Sequence, residues 1–197
     1  VEGIAQRVAE TLKVRLSDDE RRRIATLRPT SPDAYTLYLR GRASWNLRTR
    51  DGFRKAIELF EQAIQHGPSD AAAHAGLADS YGFLGLYGYL PSKDAFPKAA
   101  AAAQRAIELD GSRADAHTAL GAARLRYDWD WAEAERELRR AVELEPSYAP
   151  AHETLSACLV ATKRFDEGIA EMERALALDP LSLTLRTLLG WTFYYAR

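Results

Sequence analysis

The sequence predicts an all-α chain assembled from repeated helix–turn–helix units, and three observations predict it. Similar residues recur at a fixed interval: Ala141 and Ala175 lie 34 residues apart, and so do Pro146 and Pro180. A common tail recurs four times, at Ala63-Ile64 before Pro68, at Ala106–Asp110, at Ala141–Glu145 and at Ala175–Asp179. Finally, the apolar and small residues inside each copy have helical spacing. Leu120, Gly121 and Arg124 correspond to Leu155, Ser156 and Leu159, and Ala134, Leu138 and Ala141 to Gly168, Met172 and Ala175. Each set fits one face of a helix. The small members fall where two antiparallel helices cross, and a side chain larger than alanine there would push the axes beyond the usual ~8–10 Å. Leu120, Leu138, Leu155 and Met172 fill the space beside the crossing. The closing proline cannot continue a helix and fixes the turn into the next unit.

An interval of about 34 residues with small residues at fixed offsets and a closing proline is the signature of the tetratricopeptide repeat. From Asp33 to the C-terminus the chain resembles that family. The resemblance implies a right-handed superhelical solenoid and a protein whose work is holding another protein or peptide. The expected division is a helical lead-in over 1–30, then four repeats at about 33–69, 70–112, 113–147 and 148–182. Residues 183–197 read as the first helix of a fifth, truncated repeat. Val1 is no initiator methionine, so a fragment of a longer protein is expected.

Composition narrows the function classes. Of 197 residues, 47% are hydrophobic and 28% charged, and 27 basic against 28 acidic residues leave a formal charge of −1. That is an ordinary globular balance with no broad pull toward nucleic acid or anionic membrane. The single cysteine, Cys158, permits no intrachain disulfide and no cysteine-based metal site, and is expected as a small buried filler. No run of about 18 apolar residues spans a membrane, and no signal peptide is visible. The expected location is cytoplasmic, or periplasmic if the parent has an upstream membrane helix.

Glu2 to Leu16 carries Ile4, Val8, Leu12 and Leu16 at steps of four, an amphipathic helix. Ser17 with Glu20 resembles a capping box, and Arg21-Arg22-Arg23 opens a short charged helix whose basic residues point to water. Pro29 and Pro32 mark a boundary, with Ser31 capping the next helix. The first repeat holds Tyr35, Tyr38, Leu39, Gly41 and Trp45, then Ala56, Ile57, Phe60, Ala63 and Ile64, with a longer turn at Arg48–Gly52. The second holds Leu77, Ala78, Tyr81, Ala99, Ala103 and Ala106, and an insertion around Gly82–Pro97 makes the step from Ala63 to Ala106 43 residues. Its glycines and aromatics are expected to extend the first helix and pack against a neighbour, an exposed ligand loop being the alternative. In the third repeat, Trp129 and Trp131 sit in the internal turn and are expected to fold back on the helices, with Asp128 or Asp130 capping the second. In the fourth, Gly168 replaces the usual alanine, which weakens that helix slightly.

A narrower resemblance runs through Leu12–Asp19, Ala34-Tyr35, Tyr38–Gly41, Gly76–Tyr81 and Asp128–Trp131 followed by Ala134-Glu135. It is to bacterial signalling chains in which a serine/threonine kinase, class III nucleotide cyclase or winged-helix DNA-binding domain precedes a TolB-like segment and tetratricopeptide repeats. The resemblance makes Glu2–Leu16 the tail of the TolB-like segment.

No catalytic set is visible: no phosphate loop, no His-Glu-x-x-His and no kinase His-Arg-Asp run. His74, His117 and His152 share one register position. Equivalent positions of stacked repeats lie about 10 Å apart, too far for one metal with ligands at about 2 Å, so these histidines are read as packing residues. No catalytic, cofactor or metal residue is assigned. The resemblance implies a concave groove lined by the first helix of each repeat. Its partner-facing candidates are Tyr35, Tyr38, Arg42, Trp45, Asp79, Phe83, Thr118, Arg126 and Glu153, with Ala75, Asp115, Ala122 and Ala157 between them. Relatives that clamp a terminal carboxylate use lysine and asparagine early in the groove, where Tyr38 and Arg42 stand here. The expectation is a peptide lying on Tyr38, Trp45 and Phe83 with an acid on Arg42 or Arg126. The alternatives are self-association through Leu188, Trp191 and Tyr194, and regulation of an enzymatic parent. The partner is thus a protein or peptide, with no nucleic acid and no membrane insertion expected of this segment.

Overall fold

A computed structural model describes residues 31–196. The readings made over 1–30 (the amphipathic helix, the Ser17–Glu20 box and the basic triplet) lie outside the described residues. Among the described residues every regular element is helical. They are α1 (Pro32–Trp45), α2 (Arg50–His66), α3 (Ala71–Leu86), α4 (Ser92–Leu109), α5 (Ala114–Ala123), α6 (Trp131–Leu144), α7 (Ala149–Ala161), α8 (Phe165–Leu178) and α9 (Leu183–Tyr195). A π-helical turn, Arg124–Asp128, ends α5.

Local chemistry starts these helices. Ser31, Thr49, Asp70, Asp130 and Ser182 each accept a hydrogen bond from the first turn of the helix that follows, the N-cap arrangement that satisfies orphan N–H groups. Pro32 and Pro150 stand in first turns, where no intrahelical N–H is needed. Asp130 caps α6, whereas Asp128 pairs with Arg124 at 2.7 Å.

Consecutive helices pack as antiparallel pairs, α1 with α2 through α7 with α8, and each pair leans on the next. The odd-numbered helices also touch one another in series, α1–α3–α5–α7–α9, and among the described residues no comparable series joins the even-numbered ones. The layer whose members approach more closely is the inside of the curve, so the odd-numbered helices line the concave face. This is the quasi-one-dimensional build of a solenoid, in which each pair covers its neighbour's apolar flank.

The crossings depend on missing side chains. Phe60 on α2 is fully buried between α1 and α3. A Cβ on Gly41 would lie 2.6 Å from its ring, and one on Gly76 2.5 Å. Gly121 admits Leu138 in the same way, at 2.7 Å. In the α7–α8 pair the small residues change places. Ser156 donates its hydroxyl to the Gly168 carbonyl at 2.7 Å, and Gly168 leaves room for Val160, whose Cγ2 would meet a Cβ there at 2.9 Å. Gly168 therefore makes a close approach in addition to weakening its helix.

The insertion lengthens both arms of its hairpin: α3 runs on to Leu86 and α4 begins at Ser92. Phe83 stacks on Phe53 at 5.6 Å, and buried Phe96 stacks on Tyr127 at 6.2 Å. Packing is the main use of this stretch, although Tyr87 and Tyr89 remain exposed. The tryptophans of the α5–α6 turn correct the sequence reading. Trp129 is 71% exposed, with a left-handed backbone at φ 58°, and Trp131 is 41% exposed. The π-helical turn carries the chain outward, so neither indole folds back. Cys158 is fully buried, its thiol donating to the Trp131 carbonyl at 3.6 Å.

Candidate functional site

The concave face has two ends of opposite character. The first is filled by its own side chains. Trp45 is 7% exposed and lies edge-on to Phe53 and Phe83, at 6.4 and 5.4 Å. Arg48, itself left-handed at φ 52°, places its guanidinium 3.8 Å above the Trp45 ring and 4.7 Å above Phe83. Arg42 approaches Trp45 at 4.6 Å and pairs with Asp79 at 3.5 Å. Tyr38 stacks between Tyr35, at 6.4 Å, and Phe60, at 5.9 Å. Guanidinium groups over aromatic faces gain when water is excluded from them.

These contacts correct part of the predicted groove. Trp45 belongs to the core, because its indole fills the gap between the first two hairpins. Phe83 is half-buried under Arg48. Thr118 is buried, and its hydroxyl donates to the Ala114 carbonyl within its own helix. Replacing Trp45 therefore removes core, not contact surface.

Midway, ionisable groups gather away from bulk water. Burial pushes the Asp79 carboxyl up to about 7, aided by the charge of Asp115 and opposed by Arg42, Arg48 and Arg113. Arg113 is held by Asp115 through paired hydrogen bonds of 3.0 and 2.5 Å. The Tyr148 phenol lies in the same cluster, and burial with the charges of Asp79 and Asp115 drives its pKa far upward. Tyr148, Arg48 and Arg113 belong to this site although sequence spacing does not place them there. They sit at helix entries and in a turn, outside the helical register that picks out the other groove positions.

The second end is open. A groove of about 540 Å³ lies between α7, α8 and α9, and Arg126 and Glu153 contribute to its lining. Val160, Phe165, Met172, Leu188, Trp191 and Tyr195 make most of its wall. Arg126 extends from the π-helical turn and has no carboxylate within 4.0 Å among the described residues. Burial lowers its pKa, only partly offset by Glu153. Burial likewise raises Glu153, against the charges of Arg126 and Arg48. Cation and anion thus share one partly dry groove without pairing. The resemblance implies groove positions for Arg126 and Glu153, and both line this pocket. Leu188 and Trp191, expected in self-association, are turned by the structure into the groove wall.

Among the described residues, no cluster of three or more His, Cys, Asp or Glu side chains could hold a metal ion, and no helix is long and apolar enough to cross a membrane.

Comparison with known proteins bears on this architecture. Two family models described as tetratricopeptide repeat match, at residues 42–81 and 129–191. The chain carries tetratricopeptide repeats. The all-α tetratricopeptide solenoid is also the fold of similar solved structures. A thermophilic tetratricopeptide protein of Thermus thermophilus aligns over 98% of this chain and 100% of its own, with a TM-score of 0.67 and 20% identity. PilF of Pseudomonas aeruginosa aligns over 82% of this chain and 68% of its own, with a TM-score of 0.62 and 18% identity. The first tetratricopeptide domain of Spaghetti (RPAP3), bound to an HSP90 peptide, aligns over 70% of this chain and 98% of its own, with a TM-score of 0.55 and 22% identity. In sequence, 91 residues are 31% identical to transcriptional regulator HilA of Salmonella typhimurium and of Salmonella typhi. The match covers 46% of this chain and 16% of the length of those regulators.

Proposed function

We propose that this tetratricopeptide segment is a non-catalytic interaction scaffold that holds a peptide or protein partner in its concave groove. The observation that carries the reading is the open, largely apolar groove between α7, α8 and α9, lined also by two ionisable groups, Arg126 and Glu153, that form no ion pair among the described residues. A solvent-reachable apolar concavity with a few convergent polar groups is the ordinary form of a recognition site. The peptide bound to the Spaghetti domain is in keeping with it. The partial match to transcriptional regulators supports a bacterial signalling or regulatory parent, in which this segment would receive or relay a protein contact.

The test is quantitative binding of a partner identified by crosslinking and mass spectrometry. Leu188→Ala with Trp191→Ala should weaken its binding by about tenfold or more, since apolar anchors dominate interface energies. Tyr87→Ala, on an exposed turn, should leave binding unchanged. Equal binding by all three proteins would remove the groove assignment.

Self-association is the second reading, favoured by the exposure of Leu181, Leu183, Phe193 and Tyr194 around α9. Sedimentation equilibrium separates the two, because a chain that stays monomeric at high concentration does not pair through α9.

A further inference from the structure

The four arginines around the concave face differ in what they already hold. Arg42 has Asp79, Arg113 has Asp115, and Arg48 lies flat on Trp45 and Phe83. Arg126 alone of these has neither a carboxylate within 4.0 Å nor an aromatic face among the described residues. It is half-buried and lines the same groove as Val160, Leu188 and Trp191. A guanidinium partly withdrawn from water, offset only by an acid beyond 4.0 Å, Glu153, gains when a ligand supplies a closer counter-charge. Lys163, also on the groove wall, adds a second positive charge against the single acid Glu153.

The geometry points to a partner segment in which one carboxylate is flanked by bulky aliphatic or aromatic side chains. The carboxylate takes the Arg126 fork, and its neighbours fill the wall formed by Val160, Leu188 and Trp191. This rests on the concave groove being the partner-binding face, and it names the chemistry of what binds. A carboxylate fits better than a phosphate. A phosphate group carries about −1.5 to −2 charge and would face Glu153 across the groove, whereas a single charge balances the cationic excess. The π-helical turn that presents Arg126 is of a kind frequently found at functional sites. The pKa shifts of Arg126 and Glu153, both caused first by burial, agree that water has been partly removed before any ligand arrives.

Three N-acetylated peptides test the inference by calorimetry and by amide shifts of Ala157 and Thr192. They are Ac-Ala-Leu-Phe-Glu-Leu-NH2, the same peptide with Gln for Glu, and Ac-Ala-Leu-Phe with a free C-terminal carboxylate. The Glu peptide should bind about tenfold or more tightly than the Gln peptide, the difference expected of one charge-assisted fork. The free-carboxylate peptide distinguishes a chain terminus from an acidic side chain as the source of the charge. Arg126→Gln should abolish the Glu-over-Gln preference and Arg126→Lys should retain part of it, while Arg40→Gln, on the exposed side of α1, leaves it intact. Equal affinity for Glu and Gln peptides, a preference that survives Arg126→Gln in a protein with unchanged melting, or no saturable binding of any peptide would overturn the proposal. If the identified partner still responds to Leu188→Ala with Trp191→Ala in those cases, the groove reading stands and only the acidic–apolar assignment is lost.

Discussion

His117 holds Glu137 across the α5–α6 hairpin, with Nδ1 2.6 Å from the carboxylate oxygen and Nε2 3.2 Å from the Gly111 carbonyl. The next hairpin repeats the arrangement: His152 Nδ1 lies 2.6 Å from Glu171, and its Nε2 lies 3.0 Å from the Pro146 carbonyl. A carbonyl only accepts, so Nε2 must carry a proton, and the short contact at Nδ1 requires another between ring and carboxylate. Each buried pair therefore ties the first helix of its hairpin to the second helix and to the preceding turn. His74 has the turn contact, with Pro68, but Ala102 stands where a glutamate would be. His117 and His152 are buried in the hairpins, but register alone does not reveal their glutamate partners.

Breaking one pair should be costly and removing both partners much less so. Glu137→Ala leaves His117 buried beside an empty place and should destabilise the chain by about 3 kcal/mol. His117→Phe combined with Glu137→Leu should recover most of that. Urea unfolding of wild type, His117→Phe, Glu137→Leu and the double variant in a double-mutant cycle measures the coupling, expected at about 1–3 kcal/mol. Additive single effects would mean that the pair is not coupled.

The wedge of Phe60 between Gly41 and Gly76 gives a reciprocal expectation. Gly76→Ala forces the ring aside and should lower stability by about 1–3 kcal/mol, although alanine is the better helix former. Phe60→Leu in the Gly76→Ala background should restore part of the loss, while Phe60→Leu alone should destabilise through a cavity. Thermal melts of the three variants check the order.

Asp79 makes stability depend on pH. Its carboxyl is pushed up to about 7 from an ordinary value near 3.8. The folded chain therefore binds more protons than the unfolded chain between those values, and this contribution to stability falls as pH rises from about 4 to 7. Asp79→Asn should flatten that part of the profile and be as stable as wild type or more so at pH 8, by about 1 kcal/mol. Tyr38, Arg42, Arg48, Arg113, Asp115 and Tyr148 surround the group and remain unchanged in the variant. A variant whose melting temperature keeps the wild-type slope across this window would assign the dependence elsewhere.

The tryptophans should behave in opposite ways. Trp45→Ala removes a buried indole and should cost about 3–5 kcal/mol. Trp129→Gly removes an exposed ring from a left-handed position that glycine adopts freely, and should change stability by less than about 1 kcal/mol. Chemical denaturation of the two single variants makes the comparison directly.

The fold was legible because a solenoid writes its contacts into short, repeated intervals. Gly41 opposite Phe60, Gly121 opposite Leu138 and Ser156 opposite Gly168 are near neighbours in sequence register, so their size pattern announces the helical hairpin. Of the groove, the family resemblance implied Arg42, Asp79, Arg126 and Glu153 as concave positions. Spacing carries no record of which concave residues find partners within the chain. Trp45 and Phe83 became core because Arg48, through a left-handed turn, closes over them. Trp129 went to solvent instead of folding back, in a left-handed position that follows a π-helical turn. Leu188 and Trp191 became a wall because α9 leans on α7 and α8 at that angle. By itself the sequence determined the repeat and the hairpin, which follow from local periodicity, while the inner helix of each pair was implied by the family resemblance. Only the tertiary structure decided where the groove stays open and which concave arginine has no carboxylate or aromatic partner among the described residues, because that depends on side chains several repeats apart competing for the same charges and the same space.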